Sequence, residues 1–374
     1  MRTNKFLVAA VIGAFTLPIT VSAEDAKPSA PAIPTLSQVL DSSGITLSGY
    51  IDTAYSHANR DIENGFSDRV FDSQNNSFVL HQVGLTIAKQ PKEGFGGLVN
   101  LTAGRDAGLI HSFDTTSETQ FDVTQAFGQY AKGPLTLIAG KFVTLQGTEV
   151  IASSGNTNFS RSILFGAIPF THTGVRATYA LSDILSFTAG VNNGWDQVKD
   201  ANKGKTLELG VTFTPIKPLT IAVSDYIGKE PLGATTDGRR NSFDIVATYA
   251  VIDPLTLGVE YVNVSQQKFT SLVDGSTIKA KYSGVAGYVT YMITPKWRTV
   301  IRAEWFKDED GAHFGTPNTK YKEGTLTVGY LASDSFEVRG ELRGDRADNA
   351  AFSDFNGSPS KSLVTYALQG IYKF

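Results

Sequence analysis

The 374-residue chain lacks cysteine, and after its first residues it also lacks long apolar runs. Without cysteine it has no disulfide framework and no thiolate metal site. No later segment approaches the run of about 20 apolar residues that a transmembrane helix needs. A membrane protein is still possible, because the strands of a β-barrel give a much weaker hydropathy signal.

Strong net charge and recognisable catalytic motifs are also missing. The 33 basic and 36 acidic residues give a formal net charge of −3, whereas a nucleic-acid-binding surface is usually basic. The five histidines are His57, His81, His111, His172 and His313. None belongs to a visible nucleophile–base set, and neither metal-ligand spacing nor a glycine-rich phosphate motif occurs. We therefore expect no enzyme activity, metal, cofactor or nucleic-acid partner.

The N-terminus has the pattern of a secretory signal peptide over residues 1–23. Arg2 and Lys5 precede an apolar stretch that ends in the small-residue sequence Val21-Ser22-Ala23. A membrane anchor is the alternative, but the apolar stretch is short and ends in a cleavage pattern. Residues 24–43 predict a periplasmic linker, rich in alanine and proline at first and with one or two helical turns after Thr35. The remaining residues, 44–374, predict a transmembrane β-barrel.

Residues 362–374 show the period of two that is typical of a strand. One face carries Val364, Tyr366, Leu368, Gly370, Tyr372 and Phe374, and the other face is mixed. From Gly44 onward we count sixteen such segments. Strict alternation predicts strands with one apolar and one wet face.

Short and long connections between these segments alternate along the chain. Seven are tight turns near residues 91–94, 132–134, 182–183, 215–218, 253–254, 294–296 and 333–335, and eight are longer, near 57–76, 105–119, 147–169, 196–204, 229–240, 269–279, 308–321 and 347–360. Short periplasmic turns and long external loops are typical of outer-membrane barrels. The fold prediction is all-β: a closed antiparallel barrel of about sixteen strands, with both chain ends on the short-turn side. A soluble β-sandwich also alternates, but it would not explain two regular classes of connection.

Charged residues fill one face of several predicted strands. We expect them to line a water-filled channel, because a barrel of this size has a wet interior; a solvated sheet surface is the alternative. The predicted pore-lining residues are Asp52, Arg176, Glu208, Glu260, Arg298, Arg302, Glu304, Glu337, Arg339, Glu341 and Arg343. Their mixed signs predict weak ion preference.

The third long connection, about 147–169, is unusually apolar for an exposed loop. Ile163, Leu164, Phe165 and Ile168 would need cover, which folding back into the barrel would supply. Together with Ser48-Gly49-Tyr50-Ile51-Asp52 in strand one, its Ser160-Arg161-Ser162…Pro169-Phe170-Thr171-His172 segment resembles the OmpL-like putative β-barrel porin family. The resemblance covers the whole mature barrel.

The resemblance implies a passive outer-membrane pore of a Gram-negative bacterium, narrowed by its third loop. Arg161 then becomes a constriction candidate, with a structural pair to a wall carboxylate as the alternative. Glu149 and Phe165 complete the candidate loop set, and His172 is expected to fasten the loop to the wall. The resemblance also implies a homotrimer and an assembly signal at Tyr372 and Phe374 for the barrel-assembly machinery.

The predicted function is diffusion of small hydrophilic solutes or ions through a barrel surrounded by outer-membrane lipid. A barrel that displays its loops as an adhesin or receptor is the alternative. Channel conductance separates the two.

Overall fold

Sixteen antiparallel strands close into one barrel. The computed structural model describes residues 35–60, 69–110, 120–231, 237–353 and 358–374. Neighbouring strands follow one another in chain order, and β18 returns to pair with β1. This confirms the predicted closed, all-β antiparallel barrel. The barrel strands are β1 Thr46–Ala58, β2 Ser77–Lys89, β3 Gly94–Ala103, β4 Phe121–Lys132, β5 Leu135–Val143, β6 Thr171–Ser182, β7 Leu185–Asn192, β8 Thr206–Ile216, β9 Leu219–Lys229, β10 Arg239–Ile252, β11 Leu255–Thr270, β12 Thr277–Thr294, β13 Trp297–Asp308, β14 Thr319–Ser333, β15 Phe336–Ala347 and β18 Ser362–Lys373.

The remaining elements are short, and they lie before β1 or in the connections between strands. A two-stranded ribbon, β16 Phe352–Ser353 with β17 Pro359–Ser360, occupies the last long loop. The helices are α1 Leu36–Ser43, α2 Ala107–Ile110 and α3 Ile163–Gly166. Within the described ranges, no helix has the length and hydrophobicity to cross a membrane. The predicted signal peptide and the proline-rich part of the linker lie outside the described residues.

Thr35 and Gln38 begin α1 with a reciprocal capping arrangement. The Gln38 amide N–H donates to Thr35 Oγ1 at 3.3 Å, and the Thr35 N–H donates to Gln38 Oε1 at 2.9 Å. Both bonds use backbone donors that the first turn of a helix leaves without intrahelical partners.

The barrel strands reverse the polarity of a soluble sheet sandwich. In β13, Ile301 is 51% exposed while the adjacent Arg302 is 0% exposed. In β15, Leu342 is 51% exposed and Arg343 only 1%. The outward face is therefore apolar and the inner face carries the charges, as a lipid-facing barrel requires.

The C-terminus closes the barrel against the start of β1. The Gly49 N–H donates to the Phe374 carbonyl at 2.8 Å, and the Phe374 N–H donates to the Gly49 carbonyl at 2.9 Å. A Cβ atom at Gly49 would lie 2.5 Å from the Phe374 ring, so glycine permits the ring to cross the strand. From this point the register continues with Tyr50 opposite Lys373. Closure leaves the barrel without a free strand edge. Lipid could not supply hydrogen-bond partners for the backbone groups of such an edge.

Deleting Phe374 is expected to lower the yield of folded barrel in the membrane. The deletion removes both hydrogen bonds with Gly49 and the ring that covers it. Gel mobility of unheated and heated membrane extracts measures the folded fraction. Phe374→Tyr is the matched control, because it keeps the backbone bonds and an aromatic ring. Equal folded yields for the deletion and wild type would contradict this role.

Candidate functional site

The third loop, residues 144–170 between β5 and β6, is covered rather than exposed. It contains a 3₁₀ turn, Ser153–Gly155, and the single-turn helix α3. Ile163 and Leu164 are 2% and 0% exposed and belong to one cluster with Val262 and Tyr282 of β11 and β12. The apolar residues that made this connection unusual in the sequence are therefore packed against the wall.

Two wall carboxylates bind consecutive backbone N–H groups of the loop. Glu304 in β13 accepts from the N–H groups of Ile163 and Leu164 at 3.1 and 3.2 Å. Glu341 in β15 accepts from those of Phe159 and Ser160 at 2.7 and 2.9 Å. These N–H groups lie where the loop offers few backbone partners, and bonds to a carboxylate are stronger than neutral ones.

Arg302 joins three elements through one buried guanidinium. Nη1 donates to Glu149 of the loop at 2.7 Å and to the Ser160 carbonyl at 2.8 Å, while Nε donates to Glu323 of β14 at 3.2 Å. Arg343 in turn donates to the Arg161 carbonyl at 2.5 Å. Removing one partner from such a buried charge network typically costs about 3–5 kcal/mol, because the remaining charge is left uncompensated.

The loop is also bonded to strands on other parts of the wall. Gln82 in β2 donates to the Ile151 carbonyl and accepts from the Ser153 N–H, both at 3.0 Å. The Tyr226 hydroxyl of β9 accepts from the Leu145 N–H at 2.9 Å. Glu260 of β11 accepts from the Thr148 N–H at 2.9 Å. The attachments thus extend from β2 across the strand order to β9, β11, β13 and β15.

Most of the charged side chains predicted to line the pore are buried. Nine of them are at most 6% exposed: Asp52, Glu208, Glu260, Arg302, Glu304, Glu337, Arg339, Glu341 and Arg343. The other two, Arg176 and Arg298, are half-buried and pair with Glu208 and Glu337. Asp52 accepts from Gln369 at 2.8 Å. Alternation alone identified the inner face, but it could not show that the loop and opposite charges cover it.

Arg161 occupies neither of the positions expected for it. Its guanidinium is buried and donates to the carbonyls of Ile151, Phe159 and Val150 at 2.9, 3.0 and 3.1 Å. It also lies over the Phe71 ring, 5.1 Å from the centroid. Burial lowers the pKa of Arg161. Instead of facing a channel or pairing directly with a wall carboxylate, Arg161 holds the loop's own backbone in shape.

The other two predicted loop residues make packing contacts. Phe165 stacks on Phe170 with centroids 5.0 Å apart. His172, the second residue of β6, stacks on Tyr226 at 4.3 Å, and its Nδ1 lies 3.1 Å from the Gly194 carbonyl oxygen. His172 therefore contacts β9 through Tyr226 and the connection between β7 and β8 through Gly194.

Open space remains between the third loop and strands β2 to β4. A cavity of about 300 Å³ is lined on the wall side by Thr86, Asn100, Thr124 and Gln125. On the other side it is lined by loop residues within 144–152 and 165–170. Among the described residues that line it, Glu149 alone is ionisable, and Glu149 is paired with Arg302.

Asp196 holds the end of the third loop, and the sequence did not single it out. Its Oδ1 accepts from the N–H groups of Phe170 and Thr171 at 2.8 and 2.9 Å. Burial raises its pKa to about 6. In the sequence it is one of many acidic residues in long connections, and nothing in its spacing marks it. Gln82 was missed for the same reason, since a single inward glutamine carries no pattern.

The closed sixteen-stranded barrel, apolar outside and charged within, defines the protein as an outer-membrane porin. The family described as "Putative beta-barrel porin-2, OmpL-like" matches residues 44–374. The chain belongs to this family, as the sequence motifs predicted, and it is a channel of the Gram-negative outer membrane rather than an enzyme.

Solved outer-membrane channels share the fold at low sequence identity. The outer membrane channel DcaP of Acinetobacter baumannii is similar with a TM-score of 0.63 and 14% identity, covering 88% of this chain and 97% of that one. The anion-selective porin from Comamonas acidovorans gives 0.59 and 10%, covering 88% and 99%. Pseudomonas putida OprB gives 0.59 and 12%, covering 90% and 96%. A search of curated proteins found no match.

The raised pKa of Asp196 predicts that the free energy of unfolding depends on pH. Its pKa is raised in the folded protein, so the carboxyl binds a proton more tightly there than in the unfolded chain. The stabilisation is present below pH 4 and is lost as the pH rises to about 6. From the two pKa values the loss is about 3 kcal/mol. Asp196→Asn keeps an acceptor oxygen for both N–H groups and removes the titration.

Denaturant unfolding in detergent, followed by tryptophan fluorescence between pH 4 and 7, measures the difference. The free energy of unfolding of the wild type is expected to fall relative to that of Asp196→Asn across this range. A constant difference between the two proteins would contradict the assignment.

Proposed function

We propose that the third loop lies inside the barrel and narrows a channel for passive diffusion of small hydrophilic solutes. The observation that carries this proposal is the distribution of its attachments. Atoms of one loop bond to buried side chains of β2, β9, β11, β13 and β15. These strands lie at separate places in a closed strand order, which supports a loop that crosses the lumen.

Diffusion through this barrel requires no moving part and no bound group. A barrel of about sixteen strands leaves an aqueous interior. The loop occupies part of that interior. The gap between the loop and strands β2 to β4 limits the size of solute that can pass. The wall charges contribute by fixing the loop, and their influence on permeating ions is reduced by their mutual pairing.

The proposal includes the route to the membrane and the surroundings of the barrel. Residues 1–23 direct export, and residues 24–43 stay on the periplasmic side. Lipid covers the outward apolar side chains, and the barrel-assembly machinery binds the end of the chain at Tyr372 and Phe374. A homotrimer is supported by one structure of Vibrio cholerae OmpT, which has the same fold at 13% identity and is described as a trimer form.

Planar-bilayer recording of the purified, refolded protein tests the channel itself. Stable single-channel conductance steps are expected. A barrel that is folded but never conducts would contradict the porin function and would favour the adhesin or receptor alternative.

Arg302→Ala is expected to weaken the attachment of the loop to β13 and to change the conductance. Without this guanidinium, Glu149, Glu304 and Glu323 lose their shared counter-ion, at a cost of about 3–5 kcal/mol. The channel should become larger or visibly noisier, with rapid current fluctuations at constant voltage.

Arg346→Ala is the matched control. Arg346 is exposed on β15, so this substitution removes the same charge from a position away from the loop. It should leave the single-channel trace unchanged. Indistinguishable traces for Arg302→Ala, Arg346→Ala and the wild type would show that the loop does not limit the channel.

A further inference from the structure

The third loop is hydrogen-bonded to much of the wall but not to all of it. Its hydrogen bonds reach β2 through Gln82 and then strands β9 to β15. None of the described hydrogen bonds joins residues 144–170 to β3 or β4. The cavity of about 300 Å³ lies in this sector. A second cavity, of about 240 Å³, lies between the loop and strands β10 to β12. The gap beside β2 to β4 is therefore one path by which a solute can cross the barrel beside the loop.

The wall side of this gap offers uncharged hydrogen-bonding groups. Thr86 and Asn100 are linked by a bond of 2.8 Å from Asn100 Nδ2 to Thr86 Oγ1, and both are partly accessible. Thr124 and Gln125 of β4 continue the lining. Hydroxyl and carboxamide groups provide both donors and acceptors, so a solute with hydroxyl or amide groups can exchange its water for these partners.

The loop side of the gap is mostly carbon. Its lining includes Val150, which is 46% exposed, together with Ile151 and Phe170. Phe170 is held by its stacking on Phe165. An apolar and aromatic surface favours contact with the carbon face of a solute. It offers no polar group that could replace the water molecules around an ion.

Glu149, which lines the gap, and the nearby Lys141–Asp122 pair have partners of opposite charge. Glu149 is bonded to Arg302 at 2.7 Å and accepts from the Ser162 N–H at 2.6 Å. On the adjacent wall, Lys141 donates to both carboxylate oxygens of Asp122 at 3.0 and 3.2 Å. No unpaired charge among the described lining residues is therefore available to replace the hydration shell of an anion or a cation.

We propose that this gap is a subsite for small uncharged solutes with hydroxyl or amide groups on one side and carbon on the other. The inference rests on the proposed function, since it assumes that solutes pass between the third loop and the wall. It assigns Thr86, Asn100 and Gln125 as the polar contacts and Val150 and Phe170 as the apolar ones. An organic ion of equal size is disfavoured, because it loses water without gaining a counter-charge.

Proteoliposome swelling with three solutes of nearly equal size tests the inference. Glucose is uncharged, gluconate is an anion and glucosamine is a cation at pH 7 or below. Glucose is expected to enter faster than either ion, because an ion that enters the gap loses hydration without gaining a counter-charge. Each ion is supplied with a counter-ion that permeates freely, so that its own entry limits swelling.

The outcomes separate the inference from the function on which it rests. Equal entry of all three solutes, or faster entry of either ion, overturns the uncharged subsite and leaves the porin function intact. Exclusion of all three, together with absence of ion conductance, overturns the porin function and the subsite with it.

Asn100→Asp places one negative charge in the gap with almost no change of shape. The carboxylate cannot donate as Asn100 Nδ2 does, but it can accept a hydrogen bond from the Thr86 hydroxyl after that hydroxyl turns. Entry of glucosamine relative to gluconate should rise about tenfold, since one unpaired charge in a confined path attracts the opposite ion. The reversal potential in a salt gradient should move toward the cation value.

Asn349→Asp is the control, because Asn349 is exposed in the last long loop. It should leave both readouts unchanged. Thr86→Asp provides a second variant if Asn100→Asp yields little folded barrel. Folded Asn100→Asp and Thr86→Asp channels that behave like Asn349→Asp would overturn the assignment of this gap as the solute path.

Discussion

The third loop stays against the barrel wall because buried charged side chains meet backbone groups that have few other partners. Glu304 and Glu341 each accept two consecutive loop N–H groups, and Arg302 bridges a loop carboxylate, a loop carbonyl and a neighbouring strand. Charges can remain this deeply buried only when they are paired and hydrogen-bonded. The conformation of the loop and the charge pattern of β13 to β15 therefore depend on each other.

This dependence gives the inner face two regions with different chemistry. One region, on β13 to β15, carries ion pairs, and its Arg302 also binds Glu149 of the loop. The other, from β2 to β4, has threonine, asparagine and glutamine beside the open space. The charged side chains hold the loop, and the uncharged side chains of the other region border the open space. Closure of β18 on β1 supports both, because the inner face is continuous only in a closed barrel.

The sequence predicted the architecture well because β-barrel signals are local and repeated. Alternation identified the strands and their outward faces, and the proline, glycine and aspartate turns gave the connectivity. Burial was harder to predict. The period of two predicts which way the side chains of Arg302 and Arg339 point, but it does not show that both are buried among ion pairs. Arg161, Asp196 and Gln82 act through contacts with distant or backbone atoms, which no spacing in one sequence reveals.

The loop–wall contact can be measured directly, because the native chain has no cysteine. Asn158 Nδ2 of the loop donates to Thr327 Oγ1 of β14 at 2.7 Å. In an Asn158→Cys/Thr327→Cys protein, oxidation or a short bis-thiol reagent should link the two residues in the folded barrel, as a peptide mass shows, and the single-channel conductance should stay close to that of the wild type. Free thiols in the folded, conducting barrel after this treatment would contradict the account of a loop fixed across the lumen.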